Sequence, residues 1–368
     1  MTIVDKRKKY FQEFIVKTYC FSYFHWLLVL VIVGFSNSVS ADTVDTKSGR
    51  GYRGKISGMN ANTVTVTTSG GKEESIQAFD VKRITFDGEP NGLRTARRNV
   101  AEGQVNRVEE TLDAIEPQNL MQKIEKNYLI VMANAQLALR GEGGKKIELV
   151  RKELESFVND RENTKWYQFF QAIEKFGDLE VASRNLENAS QQFGMLAKSS
   201  SPEVILMGQY KSGTVNVLLG DYPAAKTQFA AVQSSSASDP GSVRMKLLAK
   251  VGAARCDAES GEAKSAITTI LNVIKNEDPG DMDLFGRSYN ALGHCYLKDG
   301  QTKAALLAFL HTDVLYQRDA EIHAEALFQL TKLWQQDQKP AQSLDAKKLL
   351  TTKYRNTFWG GKAQSERL

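Results

Sequence analysis

The sequence predicts two structures in series, α+β by segments: a small all-β module near the start and an all-α array of paired helices over the remainder. Three observations carry this. Residues 42–90 hold short β-branched runs broken by turn chemistry. After Pro90 the apolar pattern turns helical, and all 7 prolines of the chain fall at boundaries. Within the helical part, small and aromatic residues recur at intervals near forty, the mark of a stacked repeat.

Composition fits this and narrows the function. The chain has 368 residues, 42% hydrophobic and 25% charged, with 27 glycines; collagen-like, disordered and polytopic membrane classes are excluded. The formal charge is +5. Five basic and two acidic residues lie in the first 41, so the remainder is close to neutral and offers no general attraction to nucleic acid or acidic lipid. Three cysteines and four histidines are too few for a disulfide scaffold or a zinc ribbon.

Residues 1–41 read as an export signal. Lys6, Arg7, Lys8, Lys9 and Lys17 form a basic leader, Tyr19 to Phe35 is apolar, and Val39-Ser40-Ala41 offers the small side chains a signal peptidase needs. Ser22 and His25 shorten the apolar run below the ~20 residues of a spanning helix. An uncleaved anchor is the alternative, and would be the chain's one membrane attachment. Either way the expected location is outside the cytoplasm, in the periplasm or cell envelope.

The β module spans 42–90. Thr43–Thr46, Tyr52–Met59, Thr63–Thr68, Glu74–Ala78 and Lys82–Phe86 read as strands, with Val64 and Val66 alternating against threonines. Ser48-Gly49, Asn60-Ala61-Asn62, Ser69-Gly70-Gly71 and Asp87-Gly88 mark the turns. Five short strands are expected to close into a small barrel. Their order, with a longer second strand, resembles the SH3-like and Sm-like barrels. The Sm-like resemblance implies RNA binding, but acids balance bases in this segment, so a docking or spacer module is the expectation.

The array spans 91–368. In Tyr289–His311, Gly293, Tyr296, Gly300, Ala305 and Phe309 stand at fixed spacing. Gly213, Asn216, Gly220, Ala225 and Phe229 repeat it; Ala254, Gly261, Ala266 and Ile270 give a third copy, and Gly177, Ala182 and Leu186 a fourth. This pattern resembles the tetratricopeptide (TPR) repeat, with HEAT and Sel1-like classes left open by the longer period. The resemblance implies a solenoid of about six helix pairs. Small residues sit where paired helices cross, and turn glycines at 177, 220, 261 and 300 end each first helix in the left-handed conformation.

Chemical motifs are sparse. There is no HExxH, CxxC, Walker loop or GxSxG; His294 and His311 lack metal-ligand spacing, and His323 shares no helix face with Glu321 or Glu325. No catalytic residue, metal or cofactor is expected. Cys256 and Cys295 hold one frame position in adjacent repeats, too far apart for a comfortable bridge, so both read as buried free thiols.

The TPR resemblance implies a concave face built by the first helix of each pair. It places Tyr167, Gln171 and Glu174, then Tyr210, Thr214 and Val217, then Arg255, then Asn290 and His294, and finally Lys332 and Gln335 on that face. The functional expectation is a non-enzymatic scaffold of the cell envelope, holding a partner protein or peptide there. Self-association is the nearest alternative. A cell-wall or polysaccharide-processing accessory factor, and an Sm-like RNA binder if the chain is not exported, are the others.

Overall fold

The computed structural model describes residues 41–366. The segment read as an export signal lies outside these residues but for Ala41. Residues 42–366 belong to one compact unit.

Five strands, β1 (Asp42–Thr46), β2 (Gly51–Met59), β3 (Thr63–Thr68), β4 (Glu73–Gln77) and β5 (Val81–Thr85), lie within a residue of their expected places. All neighbours are antiparallel, in the order β4-β3-β2-β1-β5. The module is not the closed barrel that the strand count predicts. A 3₁₀ turn, Ala78–Asp80, carries the chain from β4 to the far side of β1, and no ladder joins β4 to β5.

The physical reason lies in the core. Val44, Val64, Val66, Ile76, Val81 and Ile84 alternate onto one buried face, and their cluster continues into the helices. Phe86 meets Trp166 at 6.4 Å between ring centroids, and Ser200 N–H donates to Asn62 Oδ1 at 2.7 Å. A barrel must fill its own interior; here helical side chains do so, and closure is unnecessary.

Fifteen helices are found among the described residues: α1 (Asn91–Glu102), α2 (Val108–Asp113), α3 (Leu120–Arg140), α4 (Ile147–Asn159), α5 (Phe169–Ala182), α6 (Leu186–Met195), α7 (Pro202–Leu219), α8 (Tyr222–Gln233), α9 (Pro240–Glu259), α10 (Ala263–Asn276), α11 (Met282–Lys298), α12 (Thr302–Leu315), α13 (Ala320–Gln336), α14 (Pro340–Thr352) and α15 (Phe358–Ser365). Starts are well signalled. Pro202, Pro240 and Pro340 open α7, α9 and α14, where the missing N–H costs nothing. The side chains of Asn119, Asp221, Asp239, Asp281, Asp319 and Thr357 accept from first-turn amides.

From α3 to α14 the helices form six long antiparallel pairs, each stacked on the next. The repeat's small residue and its bulky partner touch as the pattern requires. A Cβ on Gly213 would lie 2.6 Å from the Phe229 ring, and one on Gly293 would lie 2.6 Å from Phe309. Gly220, Gly261 and Gly300 take φ of +80°, +96° and +75° at the turns.

Gly177 does not do this. It sits inside α5, where a Cβ would meet Phe193 at 2.3 Å, so it is the crossing residue equivalent to Gly213 and Gly293. The turn of that pair is made by Arg184 at φ +62°, and its small second-helix residue is Ala189. The first copy is therefore displaced by seven residues from the frame read in the sequence.

The array closes on itself. After α14 the chain turns through 353–357 into α15, which packs on α13, α14 and α5. Asn356 Nδ2 donates to the Ala138 carbonyl of α3 at 2.8 Å, and Arg184 Nη1 donates to Ser365 Oγ at 3.0 Å. The concave face thereby becomes a partly open cavity.

Candidate functional site: the central cavity

The first helices of successive pairs, α3, α5, α7, α9, α11 and α13, together with the turn into α13 and with α15, line a partly open cavity of about 450 Å³. Its floor is apolar: Phe229, Leu248, Val251, Ala291, Ile322 and Trp359. Glycine at 213 and 252 lets the Phe229 ring sit between α7 and α9; either position bearing a Cβ would collide with it.

Charge is arranged on two walls. On one, Lys211 reaches Asp178 at 2.6 Å and Glu174 at 2.9 Å, and Lys175 reaches Asp178 at 3.1 Å. Burial pushes the Asp178 carboxyl up, but Lys211 and Lys175 outweigh it and hold the group at about 2. On the other, Arg287 pairs with Asp283 at 2.9 Å and lies over the Tyr210 ring, 6.0 Å from its centroid. Arg255 Nη1 donates to Glu325 at 2.8 Å.

Glu325 is a hub. His294 Nε2 lies 3.0 Å away and Asn290 Nδ2 3.2 Å away. Burial opposes its charge, yet Arg255 and His294 bring it to about 2. His294 moves down, because burial and the Arg255 charge disfavour imidazolium. The neutral ring therefore donates its Nε2–H to Glu325 at neutral pH.

Glu321 behaves oppositely. Both its oxygens accept from the Phe358 N–H, at 2.9 and 3.1 Å, but no cation faces it closely enough to offset burial, and it is pushed up to about 8. Arg318 and Asp319 stand exposed at the rim.

The structure sorts the residues carried over from the repeat pattern. Tyr210, Thr214, Val217 and Arg255 line the cavity. Asn290 and His294 stand behind Arg255, buried in the Glu325 cluster. Lys332 lies over the Phe328 ring and reaches Glu366 at 3.3 Å, while Gln335 is exposed outside the cavity. Tyr167 is in the core between sheet and helices, 4.7 Å from the Trp166 ring. Gln171 accepts from the Tyr128 hydroxyl at 2.9 Å, away from the cavity.

The misplaced first copy explains the last two. Counting from Arg184 instead of Gly177, the same offsets give Glu174, Asp178 and Val181; the latter two line the cavity and the first pairs with Lys211. The recoverable signal is the sixteen-residue step from Gly177 to Phe193, matched by 213 to 229 and 293 to 309. Sequence reasoning also missed Arg287 and Trp359. Arg287 lies a turn earlier in its helix than the offsets sample, and Trp359 enters only because α15 folds back.

Elsewhere the histidines are structural. His323 joins Tyr354 at 2.6 Å and Asp313 at 2.7 Å, and His311 stacks on Tyr289 at 4.6 Å. Cys256 and Cys295 are free and buried; burial pushes their thiols up to about 11 and about 12. Among the described residues no three His, Cys, Asp or Glu side chains gather as metal ligands.

The fold defines a class: an α-solenoid of TPR-like helical pairs. Several solved structures are similar to it. A Rap protein complexed with competence and sporulation factor matches at a TM-score of 0.50 and 12% identity, over 75% of this chain and 78% of that one. The Cut9 component of the APC/C hetero-tetramer Cut9–Hcn1 matches at 0.45 and 13%, over 75% of this chain and 48% of that one. The P58(IPK) TPR domain matches at 0.25 and 14%, over 75% and 97%. No family profile and no curated protein matches the sequence.

Proposed function

We propose that this chain is a non-enzymatic scaffold of the cell envelope that holds a short segment of a partner protein, or a peptide, in its central cavity. The observation that carries the reading is the lining itself. Six first helices converge on one partly open space with an apolar floor between two walls of fixed charge. Apolar side chains of a segment would be buried on Phe229, Val251 and Ile322, while Lys211 and Arg287 offer donors to its carbonyls or carboxylates. Their ion pairs hold these donors in place before binding, so little ordering cost remains.

The Rap protein structure, in which a similar fold is complexed with competence and sporulation factor, supports the idea that such an array can hold a ligand. The envelope location rests on the basic leader, apolar run and small residues of positions 1–41. The β module, sharing a core with the first helices, acts in this reading as a docking base for the array.

The test is affinity capture of the full chain from envelope extract, with Thr214→Arg as the blocking variant. Thr214 is partly exposed on the cavity wall, so an arginine there fills the space without emptying the core. Partners retained by the wild type and by Leu271→Ala on the outer surface, but lost from Thr214→Arg, are expected. Identical partners from all three would overturn the reading.

A further inference from the structure

Helix pairs of the array stack on their neighbours in the chain, and a seam joins the last pair to the first ones. At the seam, residues 353–365 meet α3, α5 and the turn before α6, with sequence separations of 181 and 218 at its two hydrogen bonds. The ordinary junctions are deep: Phe229, 1% exposed, is gripped between Gly213 and Gly252. The seam is shallow. It includes Asn356 on the Ala138 carbonyl, the exposed Arg184–Ser365 bond, and the half-buried Val181 and Leu186 against the cluster that contains Trp359.

Arg184 is informative. Its turn position is glycine in the next three pairs, because φ is positive there. Arginine at +62° is strained, and its guanidinium is the group that crosses to Ser365. At the neighbouring turn residue, Gly141, a Cβ would meet the Lys353 carbonyl across the same seam.

We propose that the seam is a gate: residues 353–365, carried with the α13–α14 pair on which they pack, part from α3, α5 and α6, opening the ring between its first and last long pairs and admitting the partner segment. Opening breaks no helix pair, since only these long-range contacts are lost. What the gate admits rests on the cavity being the partner site; that the gate opens does not.

The test uses the full chain with Cys20→Ser and spin labels on Gln191→Cys in α6 and Lys348→Cys in α14, both exposed. Cys256 and Cys295 are buried and stay unlabelled. Pulsed dipolar spectroscopy should give one short distance for this background, and Trp359→Ala should raise the long-distance population at least about tenfold. If Trp359→Ala loses helix content, Arg184→Ala and Asn356→Ala decide, because each removes one seam hydrogen bond and no core side chain. Both should move the distribution the same way by a smaller factor. An unchanged short distance in every folded variant would overturn the gate. A ring that opens yet captures the same partners with Thr214→Arg as without it would instead count against the cavity reading and leave the gate intact.

Discussion

Arg97 shows how much a single side chain can hold here. Its guanidinium donates to Glu89 at 2.8 Å and to Glu125 at 2.9 Å, joining the end of the β module to α1 and α3. Burial pushes the Glu89 carboxyl up, but the bonds from Arg97 prevail and bring it below its usual range. Arg97→Ala would strand two buried carboxylates, so a loss of about 3–5 kcal/mol is expected in urea unfolding. A cost under about 1 kcal/mol would mean that water replaces the guanidinium freely. None of this was legible in the sequence. Arg97 is one of three arginines in a five-residue stretch, and nothing in its spacing singles it out from Arg94 or Arg98. The crossing glycines were legible, because Gly213 and Gly293 each precede a phenylalanine by the same step.

At the scale of elements, the pair formed by α5 and α6 separates two roles of glycine. Gly177→Ala places a methyl against Phe193 and should cost about 1–3 kcal/mol, recovered in part by adding Phe193→Leu. Gly220→Ala meets open space, so its cost of about 1 kcal/mol should come from the φ of +80° alone and resist any core rescue. Chemical denaturation of the singles and the double reads both. The misassigned turn at 177 arose because a glycine was sought at every turn; Arg184 fills the position despite the strain. Strand positions were legible from alternation and turn residues, whereas closure of the sheet was not. Alternation shows which face is buried and is silent about what covers it, and Trp166, some eighty residues away, is part of the cover.

At the scale of the whole molecule, the carboxylates of the cavity set its response to pH. Glu325 and Asp178 are held at about 2, below the ~4 of unfolded chains, so their stabilisation is present above that value and is lost as pH falls toward 2. Glu321, pushed up to about 8, works in the opposite sense. The folded chain binds its proton more tightly, so stability declines as pH rises from ~4.5 to about 8. The melting temperature should therefore peak near pH 5. Glu321→Gln should flatten the alkaline limb and leave the acid limb alone; thermal scans across pH that keep the alkaline fall in this variant would remove Glu321 as its cause. Curvature that brings α15 onto α5 could not be read from a repeat of small residues. The same repeat leaves Asn290 and His294 off the cavity lining and puts Arg287 on it.

The claim on which the rest depends is that the inner face, not the outer one, meets the partner. Site-specific photocrosslinking tests it most directly, with the photoreactive residue at Thr214 inside the cavity or at Leu271 on the outer surface of the full chain. The account predicts a discrete crosslinked partner segment from position 214 and none from 271. Crosslinks from 271 alone, or equally from both, would contradict it.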